Sequence, residues 1–208
     1  MVRPVVASLN SVDSISASEA GFSQDRCYRW WLRRSWRSGQ GTLMFIGLNP
    51  SAADGQRDDP TLRRLCRFAQ GWGFRDLVVL NLFARISSSP AALMRVGDPV
   101  GRCNDAHLIH WAEAWANQAE LELWCGWGVS GGRGGRDRDV IDLLMPFLQR
   151  RRRLHPAAAG PQLIGRTRAG YPRHPLYAPR TVSLRPFVWA GDRSIRHPEN
   201  TPTDCCSL

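Results

Sequence analysis

Four positions along the chain place a hydrogen-bonding side chain or a tight turn just after an apolar run. Asn49 lies in the loop Gly47-Leu48-Asn49-Pro50-Ser51, after Leu43-Met44-Phe45-Ile46. Asn81 directly follows Leu77-Val78-Val79-Leu80, and Trp127-Gly128 closes the run that starts at Leu121. His174 comes after the shorter run Gln162-Leu163-Ile164-Gly165. A primary amide both donates and accepts hydrogen bonds, and so does a neutral imidazole. An amide is not a strong general base, so a site built from these groups works by positioning and electrostatics. In open α/β sheets, ligands bind beyond the carboxyl ends of the strands, where all four positions fall if the runs are neighbouring parallel strands.

The intervening segments support that arrangement. Short, wholly apolar runs suit strands buried on both faces. Asp58-Asp59-Pro60-Thr61 opens a helix with an Asp cap and Pro in the first turn. Leu62, Leu65, Cys66, Ala69 and Trp72 follow at helical spacing, and Gly71 or Gly73 ends it. After a Ser/Pro-rich loop, Asn104 or Asp105 caps a second helix carrying Leu108, Ala112, Trp115 and Ala119. Val140, Ile141, Leu144 and Leu148 form a third, which Pro146 kinks or shortens. The alternation predicts a single-domain three-layer α/β/α sandwich with a central, mostly parallel four-stranded sheet. Residues 1–22 read as a flexible N-terminal arm, 23–190 as the domain and 191–208 as a C-terminal tail. The stretch from Arg26 to Arg37 interleaves arginines and aromatics. It reads as an edge strand or short helix with Tyr28 and Trp30 in packing roles, or else as a base-stacking surface.

The chain has 208 residues, 28 Lys+Arg against 18 Asp+Glu, and a formal charge of +10, yet no lysine at all. Arginine's planar fork grips phosphate, and a basic surface attracts polyanions. Without lysine there is no lysine Schiff-base chemistry. The six cysteines, Cys27, Cys66, Cys103, Cys125, Cys205 and Cys206, form no CxxC pair, which points to reduced thiols and to neither a metal site nor a disulfide frame. Nothing is long and apolar enough to span a bilayer, and residues 1–20 lack the apolar core of a signal peptide. A cytoplasmic protein without cofactor or obligatory protein partner is expected. Nine tryptophans are many for this length and are expected mostly in the core.

The same four positions resemble a known family. Gly47-Leu48-Asn49-Pro50-Ser51 is similar to the first motif of the uracil-DNA glycosylase superfamily. Val78-Val79-Leu80-Asn81 resembles its second strand, Leu123 to Gly128 its third, and His174-Pro175-Leu176 its His-Pro motif. Together with Asp58-Asp59-Pro60-Thr61 and Arg173-His174-Pro175-Leu176-Tyr177, the pattern looks nearest to an uncharacterised bacterial and phage branch, over about residues 40–180. The resemblance implies base flipping and hydrolysis of an N-glycosidic bond. His174 would donate to the developing base oxyanion, and Asn49 would position the attacking water. Asn81 would read the base, with Gly47, Leu48 and Phe83 around it. Pro50, Ser51, Arg133, Arg136 and Arg173 would face DNA, and Leu176, Tyr177 or Arg180 would wedge into the gap left by the flipped base.

Each of these residues also has a plainer reading. Asn49 starts a turn, Asn81 satisfies a strand end, His174 caps a turn, Asp58 and Asp59 cap a helix, and Arg150 to Arg153 form a solvated face. Asp54 or Asp59 is an alternative general base. Uracil enzymes carry a bulky aromatic soon after the first motif's Pro, where this chain has Ser51-Ala52-Ala53. That departure predicts a roomier pocket for a 5-substituted pyrimidine, of the kind found in phage genomes. The competing functions are a hydrolase or transferase acting on free nucleosides or nucleotides, and a nucleic-acid-binding module without catalysis.

Overall fold

The apolar runs do form parallel strands, within a larger sheet than four strands. The structure, a computed structural model, describes residues 13–51, 58–189 and 191–192. Along the chain run β1 (Ala17–Phe22), β2 (Arg29–Ser35), β3 (Thr42–Gly47), α1 (Pro60–Gly71), β4 (Asp76–Asn81), α2 (Pro90–Leu93), α3 (Asn104–Asn117), β5 (Leu121–Cys125), α4 (Arg136–Leu154), β6 (Pro161–Leu163) and β7 (Arg185–Pro186). Two 3-10 segments, Val129–Gly135 and Pro175–Tyr177, flank α4 and β6. The seven strands lie in the order β1-β2-β4-β3-β5-β6-β7. The four central strands β4, β3, β5 and β6 are parallel, while β1, β2 and β7 join antiparallel. The expected four-stranded sheet is therefore the core of a mixed seven-stranded one, and Ala17–Phe22 of the expected arm is an edge strand.

Helices cover both faces, which is why the central strands are apolar on both sides. Met44, Ile46, Val78, Leu80 and Leu123 pack against Leu108, Ala112 and Trp115 of α3 and Val140, Leu144 and Leu148 of α4. Leu43, Phe45, Leu77, Val79 and Trp124 pack against Leu62, Leu65, Phe68 and Ala69 of α1. Trp124 is buried there among Phe45, Phe68 and Trp72, with ring centroids 4.7–5.7 Å away. α1 begins as expected, with Asp59 Oδ1 accepting from the Leu62 amide at 2.7 Å. α4 runs unbroken through Pro146.

β2 is not an edge strand. It lies between β1 and β4, and two of its three arginines are neutralised in place: Arg34 pairs with Asp58 at 2.7 Å and Arg33 with Asp76 at 2.9 Å. Its register against β1 slips by one residue, from Gly21↔Trp31 to Phe22↔Arg29, so Trp30 has no partner on β1. Such a bulge re-aims the side chains beyond it. Trp30 and Trp31 both turn toward α3, where Trp30 stacks on His107 and Trp31 meets Trp111. Arg29 joins the α1 face, with Leu32 and Arg34. Tyr28 stacks on Trp30 at 5.4 Å, and Arg85 sits over the Tyr28 ring. These rings pack against their own neighbours.

Two further expectations change. Asn104 does not cap α3; its Nδ2 donates to the Asn81 and Leu82 carbonyls at 3.1 and 3.0 Å, tying α3 to the end of β4. The four-arginine run is not simply a solvated face. Arg151, 1% exposed, donates to the carbonyls of Ala159, Trp115, Gln118 and Ala119, three of them at the end of α3.

Candidate active site

The carboxyl ends of β3, β4 and β5 open on the α1 face into a cavity of about 660 Å³. Phe45 stands at its floor because glycines occupy the next positions around it. A Cβ on Gly47 would lie 2.9 Å from the Phe45 ring and 3.1 Å from Asn81 Oδ1, and one on Gly126 would lie 2.6 Å from the same ring. Gly128 turns the chain at φ +71°, a left-handed value that suits glycine. Its amide donates to the Pro172 carbonyl at 2.9 Å, joining the end of β5 to the segment that carries His174.

Gly47, Leu48, Asn49, Ser51, Asn81, Trp127, Gly128, Arg173, His174, Leu176 and Tyr177 all line this one cavity. Asn49 is oriented by its surroundings. Its Nδ2 donates to the carbonyls of Pro50 and Ser87 at 2.9 and 3.0 Å. Both amide hydrogens are thereby used, so Oδ1 is the group it presents, an acceptor suited to a water or a donor on a ligand. The turn reading and the site reading of Asn49 are thus compatible. Asn81 does not satisfy the strand end, because its Nδ2 is buried without a hydrogen-bond partner. An unmade hydrogen bond of that kind costs about 1–3 kcal/mol, which a ligand carbonyl would recover.

His174 both caps a turn and faces the cavity. Its Nδ1 accepts from the Leu176 amide at 3.3 Å, which places the hydrogen of the neutral ring on Nε2. Burial pushes its pKa below the ordinary 6.5, against the opposing charge of Asp59. At neutral pH the ring is an uncharged N–H donor. Ser51 forms part of the wall, Leu176 and Tyr177 are exposed at the rim, and Tyr177 is 78% exposed. Arg173 also lines the cavity, with Nη2 donating to the Arg166 carbonyl at 3.3 Å.

Other expected site residues lie elsewhere. Phe83 is buried in the core on the α3–α4 side, its amide donating to the Leu48 carbonyl at 2.9 Å, and is not part of the wall. Pro50 is buried, and its carbonyl accepts from Asn49 Nδ2 and from the Ser87 amide. Arg136, expected to face DNA, lies inside the fold. It is buried, donates to the Leu82 carbonyl at 2.9 Å and pairs with Asp105, so its charge is spent inside the fold. Arg133 and Arg180 are exposed and outside the cavity. Ala52, Ala53 and Asp54 lie outside the described residues.

Asp59, the alternative general base, lines the same cavity, and the structure adds Arg29 to the wall along with Ser87, Ser88 and Ser89 of the Ser/Pro-rich loop. Arg29 is 4% exposed; burial lowers its pKa to about 10, against the pull of Asp59 and with the push of Arg34, so it remains charged at neutral pH. The bulge in β2 brings it there, and no strand alternation could have foretold that. Among the described residues no cluster of three or more His, Cys, Asp or Glu could hold a metal ion, and no helix is long and apolar enough to cross a membrane.

No curated protein and no solved structure matches the chain. Residues 29–176, which run from Arg29 on the cavity wall to Leu176 on its rim, match a family described as "Protein of unknown function (DUF1643)". The match covers most of the chain and nearly all of the cavity, and the chain therefore belongs to the DUF1643 family.

Proposed function

We propose that the chain is a monofunctional DNA glycosylase that flips a pyrimidine into the cavity and hydrolyses its N-glycosidic bond, leaving an abasic site. The observation that carries this reading is the buried, unpartnered Nδ2 of Asn81 in the same cavity as the Asn49 acceptor and the neutral imidazole of His174. Asn81 offers a donor and an acceptor on one amide, which suits the Watson–Crick edge of a pyrimidine. The leaving base gathers negative charge, and the Nε2–H of His174 donates to it as that charge develops. Asn49 Oδ1 holds a water against the sugar. Exposed Leu176 and Tyr177 at the rim fill the space the base leaves in the duplex. The absence of lysine favours base release without strand cleavage through a lysine imine.

The cavity encloses about 660 Å³, and small Ser51 lies on its wall. The substrate we favour is a 5-substituted pyrimidine in DNA, removed in the cytoplasm as a defence against phage with modified genomes. Mass spectrometry of bases released from several genomic DNAs, including heavily modified phage DNA, tests this. Asn49→Ala and His174→Ala should each lower release by roughly 10²-fold or more while DNA binding persists. Release that survives both substitutions overturns the site assignment. Salt-dependent DNA binding with no release from any DNA leaves a binding module, and release from free nucleosides with no salt-dependent DNA binding leaves a nucleoside hydrolase.

A further inference from the structure

Hydrolysis of an N-glycosidic bond needs a group that takes a proton from the attacking water beside a sugar gaining positive charge. Asn49 can hold the water but cannot take its proton at neutral pH. His174 is committed elsewhere, with Nδ1 facing the Leu176 amide and Nε2 carrying the hydrogen. Among the described residues that line the cavity, Asp59 is the one carboxylate. Its Oδ1 accepts from the Leu62 amide at 2.7 Å, which fixes the group at the start of α1 and leaves Oδ2 for another partner. It shares the cavity wall with Arg29 and His174, and its charge acts on both. The adjacent Asp58 is used differently, bound to Arg34 Nη2 at 2.7 Å.

We propose that Asp59 is a catalytic carboxylate of this site, whose Oδ2 takes a proton from the water held by Asn49 as that water attacks the sugar C1′. The inference rests on the glycosylase reading. As the C1′–O bond forms, the C1′–N bond breaks with its electron pair going to the base. The base departs as an anion hydrogen-bonded to His174 Nε2–H, and the water's proton stays on Asp59 until it passes to solvent. Before it is protonated, the same carboxylate offsets the positive charge on the sugar.

The charged and titratable groups around Asp59 are Arg29 on β2, Asp58 with its partner Arg34, Arg63 on α1, whose Nη1 donates to the Asp58 carbonyl at 2.7 Å, and Arg173 and the neutral His174 ahead of the Pro175–Tyr177 turn. Asp59→Asn separates catalysis from folding, because Asn caps a helix about as well as Asp. Single-turnover base release by the full chain should fall by roughly 10²- to 10⁴-fold, with DNA affinity and melting temperature held. The carboxylate's acid limb should vanish from the pH–rate profile of that variant, and added formate should partly restore release in Asp59→Gly. If the wild-type chain releases base and Asp59→Asn does so at a comparable rate, Asp59 has no part in proton transfer and the glycosylase reading stands. If the wild-type chain releases no base, both fall together.

Discussion

Two polar side chains on the α3–α4 face of the sheet and one in the cavity on the α1 face are buried to nearly the same depth and are treated oppositely. Arg151 and Asn104 are each 1% exposed, and both are saturated: the arginine binds four carbonyls and the amide two. Asn81 is 3% exposed, and its Nδ2 binds nothing. Burial alone therefore does not distinguish a group that holds the fold from one open to a ligand; Asn81 differs from the unpartnered core indoles of Trp115 and Trp124 in that it also lines the cavity. The cost of leaving Asn81 unsatisfied is carried by the rest of the fold.

The largest test of that contrast is Arg151→Ala. It strips donors from the end of α3 and should destabilise the protein by about 3 kcal/mol or more, read by urea unfolding. A loss below about 1 kcal/mol would mean that the saturated arginine is structurally idle. Next is the pair of amides. Asn104→Ala should cost about 1–3 kcal/mol, because two carbonyls lose their donor. Asn81→Ala should cost less than Asn104→Ala, since no protein hydrogen bond is lost, while abolishing selective base release. Equal costs in thermal denaturation would erase the distinction between the two faces.

The smallest effect is on pH dependence. Burial holds the folded pKa of His174 below its ordinary 6.5, so the unfolded chain binds a proton that the folded chain resists. Stability should fall as pH drops below about 6.5 and level off once pH passes the folded value. His107, also shifted down by burial and by His110, acts in the same direction. The difference between wild type and His174→Asn isolates the share of the cavity. An unchanged slope would mean that His174 is not kept neutral by its site.

The legible parts of the fold were those in which one residue class dominates a segment. Leu43 to Ile46 and Leu77 to Leu80 could only be strands buried on both faces, and Asp59-Pro60 could only start a helix. The outer strands were obscured because β2 carries arginines whose charges are cancelled by Asp58 and Asp76, and those pairings are visible only once distant segments meet. The fate of Arg151 and Arg136 was hidden for the same reason: exposed and saturated arginines look alike until the carbonyls they bind are in place. In the cavity, the residues standing at strand ends could be found, because parallel strands deliver their ends to one edge. Asp59 was legible as a cap and as an alternative general base, and the fold shows that the cap faces the cavity.

Arg29 owes its place on the wall to the one partnerless residue in β2. Side chains on a strand obey an odd–even rule, and Trp30 breaks it once. Loss of a single codon there would remove the bulge and leave the same guanidinium on the α1 side, now directly beside Trp31, whereas Trp30 drawn into regular pairing would send it to the opposite side. A family lineage can therefore gain or lose the bulge residue by a frame-preserving insertion or deletion and still keep this buried charge on the wall. Alignments that score only residue identity would pass over such an event.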